Sequence, residues 1–490
     1  MPKPISAKLL KVNGIVQGVG FRPHVFQLAR CYRLNGEVSN TSSGVLIHIE
    51  GLPEHLDAFE TDLVKKSPPL AYIVEVSAET VPTRPCQDFR IVKSSVDTAV
   101  STLISPDVCV CSDCLMEMFD PDDRRHRYPF INCTNCGPRY TIIDDIPYDR
   151  PKTSMRSFKM CPACQAEYDD PNNRRFHAQP NACPECGPRV KLTDNTGLEL
   201  ETPDPIAGAA ELLKEGAVLA VKGLGGYHLA VDAENDTAVR ALRKRKLREE
   251  KPLALMCAGM AGIRRFAYVT PDEEKLLNTI QRPIVLLIQK GDNAISPEVA
   301  PENKYFGVML PYTPLHYLLL DHGFTALVMT SGNLSEEPIA IDNEDALSRL
   351  SDIADYFLVH DRDIYLRSDD SIVRRSSGET RFMRRSRGYV PIPVFLNRKI
   401  PAVMAVGAEL KNTVCLTKED KAFLSQHIGD LENLSTYDFF QLTLDHLRRI
   451  LDISPELIAN DLHPDYMSTR YASEQTSLPT VAVQHHHAHI

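Results

Sequence analysis

Cys111-Ser112-Asp113-Cys114 is followed, after eighteen intervening residues, by Cys133-Thr134-Asn135-Cys136. The pattern then returns as Cys161-Pro162-Ala163-Cys164 and Cys183-Pro184-Glu185-Cys186, each cysteine fifty residues after its counterpart. The neighbours repeat as well: Asp120-Pro121 with Asp170-Pro171, Arg124-Arg125 with Arg174-Arg175, and Gly137-Pro138-Arg139 with Gly187-Pro188-Arg189. Self-similarity at a fixed period marks a duplicated module. A C-x2-C turn points two thiolates at one ion, and two such knuckles complete a tetrahedral four-thiolate zinc site. Residues 105–190 are rich in Cys, Pro, Asp and Arg and carry little hydrophobic periodicity, so they bury too little apolar surface to hold themselves together. Two structural zinc ions, each contributing on the order of 10 kcal/mol to folding, would compensate. We expect each repeat to close its own site. Crossed pairing of knuckles between the repeats is the other arrangement, and stacked disulfides suit a reducing compartment poorly. Four thiolates leave no open coordination position, so both ions are structural.

Upstream, residues 1–95 show alternating stretches (LLKVNGIV, GEVSN, GVLIHIEG, AYIVEVSAE, DFRIVKS) around two helical patterns, RPHVFQLARCYRL and EHLDAFETDLVKK. A β-α-β-β-α-β order of this kind is the ferredoxin-like split motif. Downstream, residues 200–390 alternate helical patterns with apolar strands such as AVLAVKGLGG, RPIVLLIQK and FTALVMTSGN, which is an α/β unit. Residues 400–490 read as a strand pair with turns, a helix at YDFFQLTLDHLRRILD, and the start of another α/β unit. The expected fold class is therefore multidomain, α+β then α/β.

Bulk properties narrow the function classes. A chain of 490 residues exceeds one hydrophobic core. The formal charge of −10 disfavours non-specific nucleic-acid binding, which rewards an excess of Lys and Arg. No apolar run approaches the roughly 20 residues that span a bilayer, so no membrane partner is expected. The opening MPKPISAKLLKV has no apolar signal core. Nine of the thirteen cysteines fall between Cys109 and Cys186, a usage that points to metal in the cytoplasm rather than to disulfides. Cys31, Cys86, Cys257 and Cys415 stand singly and read as small core or surface residues.

Val12-Asn13-Gly14-Ile15-Val16-Gln17-Gly18-Val19-Gly20-Phe21-Arg22 is a glycine-rich loop between a strand and a helix. Successive N–H groups there can wrap a phosphate, and Arg22 adds a planar fork for its oxygens. With Gly36, Val38 and Asn40 the stretch resembles acylphosphatase. The resemblance implies that Gln17, Gly18, Val19, Gly20 and Phe21 form the acyl-phosphate loop, that Arg22 holds the phosphate and that Asn40 orients the attacking water.

Three further stretches stand out in the α/β unit. They are Lys222-Gly223-Leu224-Gly225-Gly226-Tyr227-His228, the basic run Arg243-Lys244-Arg245-Lys246-Leu247-Arg248-Glu249-Glu250-Lys251, and Thr330-Ser331-Gly332-Asn333. Together they resemble the YrdC-like domain, which condenses ATP with a small carboxylate or carbamate into an acyl adenylate. Cations in such a site offset the charge of the triphosphate and of the reacting α-phosphate. The resemblance implies Arg245, Lys246, Arg248, Lys251, Ser331 and Asn333 as nucleotide contacts, with Thr313 and His316 lining the pocket and Mg accompanying the ATP.

Met309-Leu310-Pro311-Tyr312-Thr313-Pro314-Leu315-His316, Asp369-Asp370-Ser371 and Arg385-Ser386-Arg387-Gly388-Tyr389 narrow the resemblance to the HypF family, carbamoyltransferases of [NiFe] hydrogenase maturation. Val406-Gly407-Ala408-Glu409-Leu410-Lys411-Asn412-Thr413 and Ser425-Gln426-His427-Ile428-Gly429-Asp430 resemble the opening of its carbamoyl-transfer domain. His485 and His489, an H-x3-H pair, share a face if helical and could bind one further metal ion. The resemblance implies hydrolysis of carbamoyl phosphate in the first unit and ATP-dependent carbamoyl adenylation in the third. Carbamate, unstable in water, would pass between them along an enclosed path. The carbamoyl group would then move to the C-terminal cysteine of a HypE-type acceptor protein. Family members continue for a few hundred residues beyond position 490, so a C-terminally truncated chain with doubtful final transfer is expected. A tRNA threonylcarbamoyl-adenylate synthase would share the third unit but explains neither the loop nor the cysteine repeats. A purely protein-binding role for the zinc module would leave Arg22 without a task.

Overall fold

The computed structural model describes residues 5–41, 44–84, 86–92, 103–146, 148–334 and 337–490. The expected end of the first unit at position 95 lies outside the described residues, as does the tail of DFRIVKS.

The first sheet is built from β1 (Ser6–Ile15), β2 (Asn35–Thr41), β3 (Gly44–Gly51), β4 (Tyr72–Val81) and β5 (Phe89–Ile91). They lie in the order β4-β1-β3-β2-β5, with the first four mutually antiparallel and β5 parallel to β2. Helices α1 (Phe21–Cys31) and α2 (Pro53–Lys65) complete the split motif. Their buried residues Phe21, Val25, Leu28, Leu56, Phe59 and Leu63 recur at three- and four-residue spacing and share a core with Leu10, Val12, Val45, Ile47 and Ile49 of the sheet. The chain enters α1 through Gly18 and Gly20, both at positive φ (69° and 74°), a conformation that glycine adopts without steric cost.

The cysteine stretch carries one short helix that begins inside the first knuckle of each repeat, Ser112–Phe119 capped by Cys111 and Pro162–Asp169 capped by Cys161, with turns and 3-10 segments between. A strand at Val190–Asp194, where the second and third expected units meet, pairs antiparallel with Tyr356–His360 and adds to the edge of the large sheet.

That mixed sheet has eleven strands. Its centre is apolar on both faces: Leu219–Lys222, Tyr227–Asp232, Ala254–Met256, Tyr305–Met309 and Leu327–Ser331 are buried almost throughout. Helices such as Pro205–Lys214 and Asp236–Arg245 cover it, the latter started by Asn235, whose side chain accepts from the Ala238 N–H.

Residues 394–490 form a five-stranded sheet, more than the expected strand pair, in the order Val394–Ile400, Cys415–Leu424, Val403–Ala405, Leu457–Asp461, Thr480–Val483. Helix Leu434–Leu451 packs Phe439, Phe440, Leu444, Leu447 and Ile450 into its core. This part also touches the other units. Tyr72 of β4 stacks on Phe395 with ring centroids 5.6 Å apart, and the buried Tyr140 hydroxyl donates to Gln426 Oε1 at 2.9 Å. No helix among the described residues is long and apolar enough to cross a membrane.

Candidate functional site

In each repeat the four cysteines converge. Cys111, Cys114, Cys133 and Cys136 place their sulfurs within 4.8 Å of one another, and Cys161, Cys164, Cys183 and Cys186 do the same. The set is therefore closed within each repeat, and the crossed arrangement is not what the chain adopts. Four thiolates at tetrahedral spacing fit a structural zinc ion. The repeated Arg-Arg pairs now acquire a reason. Arg124 Nη2 lies 3.1 Å from Cys164 Sγ of the other repeat, and Arg174 Nη1 lies 3.2 Å from Cys114 Sγ. Glu167 accepts from Arg124 and Arg125, while Glu117 accepts from Arg174 and Arg175. Each cluster is thus hydrogen-bonded by arginines from its sibling, and the two repeats lock reciprocally. Burial pushes the Glu167 carboxyl up, but Arg125 and Arg124 hold it down to about 2.

The acyl-phosphate loop sits under this module. A cavity of about 30 Å³ is bounded by Gly18, Gly20, Phe21 and Arg22 on one side, and by Thr134, Arg139, Tyr148 and His177 on the other. The fit is close: a Cβ on Gly20 would meet Thr134 Oγ1 at 3.0 Å, and one on Gly18 would meet Tyr148 at 3.1 Å. Arg139 Nε donates to the Gly18 carbonyl at 3.4 Å. Burial lowers the Arg22 pKa, against opposing attraction from Asp149. Gln17 Nε2 donates to the Thr41 and Gly44 carbonyls, 2.8 Å each, tying the loop to the end of β2 and the start of β3. Asn40 Oδ1 is buried with no hydrogen-bond partner. Nothing in the spacing of Thr134, Tyr148 or His177 marks them as neighbours of residue 20, so the roof over this loop is a property of the tertiary fold.

A second, much larger cavity, about 760 Å³, opens on the large sheet. Lys246, Arg248, Lys251, Ser331 and Asn333 all line it. Helix Asp236–Arg245 stops just before Lys246, so the rest of the basic run turns as a loop across the cleft. Lys246 Nζ donates to the Ser331 carbonyl at 2.7 Å and to Asn333 Oδ1 at 2.8 Å, and Ser331 Oγ donates to the same Oδ1 at 2.7 Å. Burial, reinforced by Arg248, pulls the Lys246 ammonium down to about 7, and burial brings Arg248 down to about 10. Such a site gains when a polyanion enters, because anionic oxygens replace the hydration these cations have lost.

Three residues expected at this cleft sit elsewhere. Arg245, one step earlier on the helix, points away and pairs with Asp355 Oδ1 at 2.8 Å. Thr313 caps helix Pro314–Leu320, accepting from the His316 N–H. His316 lies one layer behind the wall, against Tyr312 and His228 (ring centroids 4.5 and 5.9 Å), and His228 is the residue that reaches the cavity. Burial drives the His316 pKa well down, with His228 adding to it, so its imidazole is neutral. His228 Nε2 stands 3.1 Å from Asp370, which Arg387 Nε meets on its other side at 2.6 Å.

The cleft also takes residues that were not expected at it. Arg367, Asp369 and Arg384 line it, and Lys411 and His427 reach it from the last unit. His427 Nδ1 lies 3.1 Å from Asp369 Oδ2. Burial opposes the charge on Asp369, yet Arg384 and His427 hold its carboxyl at about 2. The distal pair is farther along: His485 Nε2 and His489 Nε2 are 3.3 Å apart, and His485 Nδ1 meets Asp461 Oδ2 at 2.6 Å. An imidazole fixed by a carboxylate through one nitrogen, with the other turned to its partner, has the arrangement of a metal-binding histidine.

Four family models match along the chain: Acylphosphatase over residues 8–91, HypF finger over 110–143 and 160–193, Telomere recombination (the Sua5, YciO and YrdC group) over 211–386, and HypF Kae1-like domain over 398–490. The chain belongs to the HypF family. Carbamoyltransferase HypF2 of Cupriavidus necator is 49% identical over 513 residues, covering 100% of this chain and 63% of its own length. Carbamoyltransferase HypF of Synechocystis is 48% identical over 98% of this chain and 63% of its own. A crystal structure of full-length HypF, in a phosphate- and nucleotide-bound form, superposes with a TM-score of 0.95 at 47% identity, over 100% of this chain and 64% of that one. The chain thus spans about 63% of the length of the curated family members it matches.

Proposed function

We propose that this chain carries the carbamoyl-activating half-reactions of a HypF carbamoyltransferase, working as four units at 1–95, 105–190, 200–390 and 400–490. In the first, carbamoyl phosphate binds at the Gln17–Arg22 loop. Arg22 and the loop N–H groups hold the phosphoryl oxygens, and Asn40, whose side-chain oxygen is otherwise unengaged, orients the attacking water. In the third, carbamate attacks the α-phosphate of Mg-bound ATP, releasing pyrophosphate and leaving carbamoyl adenylate. Lys246, Arg248 and Lys251 would balance the triphosphate, and Ser331 and Asn333 would orient it. Arg245, Thr313 and His316 act indirectly, by supporting the walls.

The observation that carries this reading is that a buried acyl-phosphate loop and a cation-lined cleft of about 760 Å³ occur in one chain. A relative captured with both phosphate and nucleotide supports it. We further propose that His485 and His489 bind a metal ion in the transfer unit, that the acceptor is a HypE-type protein, and that the chain works in the cytoplasm.

The test is AMP and pyrophosphate release from ATP by the 490-residue chain, with and without carbamoyl phosphate. Release that requires carbamoyl phosphate and disappears in Arg22→Ala is expected. Release supported instead by threonine and bicarbonate would overturn the substrate assignment in favour of threonylcarbamoyl chemistry.

A further inference from the structure

Beyond the two cysteine clusters, three more side chains converge at metal-binding distance. His48 and Glu50 of β3 and Cys86, which follows β4, bring a ring nitrogen, a carboxylate oxygen and a thiol sulfur within 4.8 Å of one another. Alternation along β3 sets two of them. Val45, Ile47 and Ile49 point into the helix-covered core, so His48 and Glu50 share the opposite sheet face, across from Leu9 and Ala7 of β1. This is the end of β3 remote from the acyl-phosphate loop, which lies beyond the Asn13–Gly44 pairing. The Cys86 segment is pinned over that face. The Arg84 N–H donates to Glu50, and Asn35 Nδ2 donates to the Cys86 carbonyl at 3.1 Å.

His48 is the informative member. It is 3% exposed, and neither ring nitrogen has a hydrogen-bond partner. Its Nε2 stands 3.5 Å from Glu50 Oε1, without the geometry of a hydrogen bond. Buried polar groups are otherwise almost always satisfied, and an imidazole with both nitrogens idle costs folding free energy unless something else engages it. A tetrahedral ion with bonds of about 2.0 Å to N and O and about 2.3 Å to S needs ligand separations of roughly 3.3 to 3.6 Å. The His48–Glu50 distance already falls in that range.

We propose that His48, Glu50 and Cys86 form a third protein metal site, selective for a zinc-type divalent cation. The donor set decides the class. Calcium and magnesium take oxygen ligands, whereas imidazole plus thiolate favours zinc. On binding, the Cys86 thiol releases its proton to solvent, and a thiolate with a carboxylate then balances the dication. Three protein ligands leave a fourth position for water on the half-exposed Cys86 side, unlike the closed cysteine clusters. The ion would clip the segment after β4 onto the sheet. This inference does not depend on the carbamoyl chemistry.

The experiment uses the full chain equilibrated with zinc chloride. Metal analysis of the wild type, His48→Gln and Cys86→Ser should show each variant losing one zinc per chain, with the cysteine clusters and His485/His489 common to all three. In parallel, wild-type alkylation is mapped by peptide mass with zinc and with a mild chelator. Zinc should protect Cys86, while exposed Cys31 reacts equally in both. Equal zinc content in all three proteins, or Cys86 reacting at the same rate with and without zinc, overturns the site. Should a variant fold poorly, the wild-type alkylation decides alone.

Discussion

The cysteine module and the cation-lined cleft are opposite solutions to placing charge inside a protein. In the module, every ligand comes from within one repeat, each cluster is closed, and arginines from the sibling repeat reach Cys114 and Cys164 at 3.2 and 3.1 Å. In the cleft, the wall is assembled from segments as far apart as Gly226 and Asp430, and burial strips hydration from its Lys246 and Arg248. One site is complete when the chain folds. The other is an open cleft with partly desolvated cations in its wall, and a ligand's anionic oxygens can replace the hydration they have lost.

Metal removal should break this contrast most forcefully. A chelator strong enough to strip the clusters removes on the order of 10 kcal/mol per site from a region whose apolar residues share their core with one face of the large sheet. Limited proteolysis should then cut first between residues 110 and 190, while the core on the other face of the large sheet, around Leu229, Val231, Leu255 and Val285, stays protected. Equal protection of the module in chelator would mean that packing and the arginine locks suffice.

Within the cleft, Lys246→Ala deletes a buried cation that holds Ser331 and Asn333. Loss of charge-assisted hydrogen bonds costs on the order of 1.5 to 3 kcal/mol, roughly 10- to 150-fold in nucleotide affinity by titration calorimetry. Arg245→Ala should change the same affinity by less than about twofold, because its half-exposed pair with Asp355 is worth at most about 1 kcal/mol and faces away. If Arg245→Ala matched Lys246→Ala, the cleft assignment would be wrong.

That pair of neighbours also shows where sequence reading reaches its limit. The clusters were legible because C-x2-C puts both ligands on one turn, and because a fifty-residue period displays the second set as a copy of the first. The split motif was legible because period-two strands and three- and four-residue helical spacing set which side faces the core. Lys246 and Arg245 are adjacent in a basic run, and only the end of helix Asp236–Arg245 decides which enters the cleft. His316 differs for a related reason: it packs behind the right wall, and it is its neighbour His228 that reaches the cavity. Arg384, Lys411 and His427 come from three separate segments, and the stretches holding Lys411 and His427 read as part of the next unit, so only the tertiary fold brings them to this cleft. The Arg-Arg repeats were visible as a pattern, yet their exchange between clusters is a property of how the copies pack.

The exchange can be sharpened directly. Glu167→Gln removes the carboxylate that steers Arg124 and Arg125 toward the second cluster, and Glu117→Gln does the same for Arg174 and Arg175 at the first. Partners of this kind are typically worth on the order of 10-fold in metal affinity. Each variant should therefore release one of its zinc ions faster to a chromophoric chelator, at a rate the wild type does not show. Unchanged release would reduce the locks to packing contacts.

The smallest effect is the one that tests desolvation itself. Burial, then Arg248, brings Lys246 down to about 7, with Lys251 and Arg349 also lowering it and Asp369 opposing. At pH 8 the ammonium is mostly neutral, and a bound triphosphate favours its charged form, so binding should take up part of a proton. Nucleotide affinity should then weaken as pH rises from 7 to 8, by less than about tenfold for a single proton. Below about pH 6 the lysine is already charged and uptake should vanish. In the ligand-free chain the sign reverses. The unfolded chain keeps this proton up to about 10.4, so between pH 7 and 10 it binds more protons than the fold does, and stability from this group rises with pH. Calorimetry in two buffers of different ionisation enthalpy reads the uptake. Lys246→Arg, charged throughout, should lose it, and ionisation of the nucleotide's own terminal phosphate is common to both proteins. Identical uptake in the two would show that Lys246 is already charged in the empty cleft, and that the cleft holds more water than its walls imply.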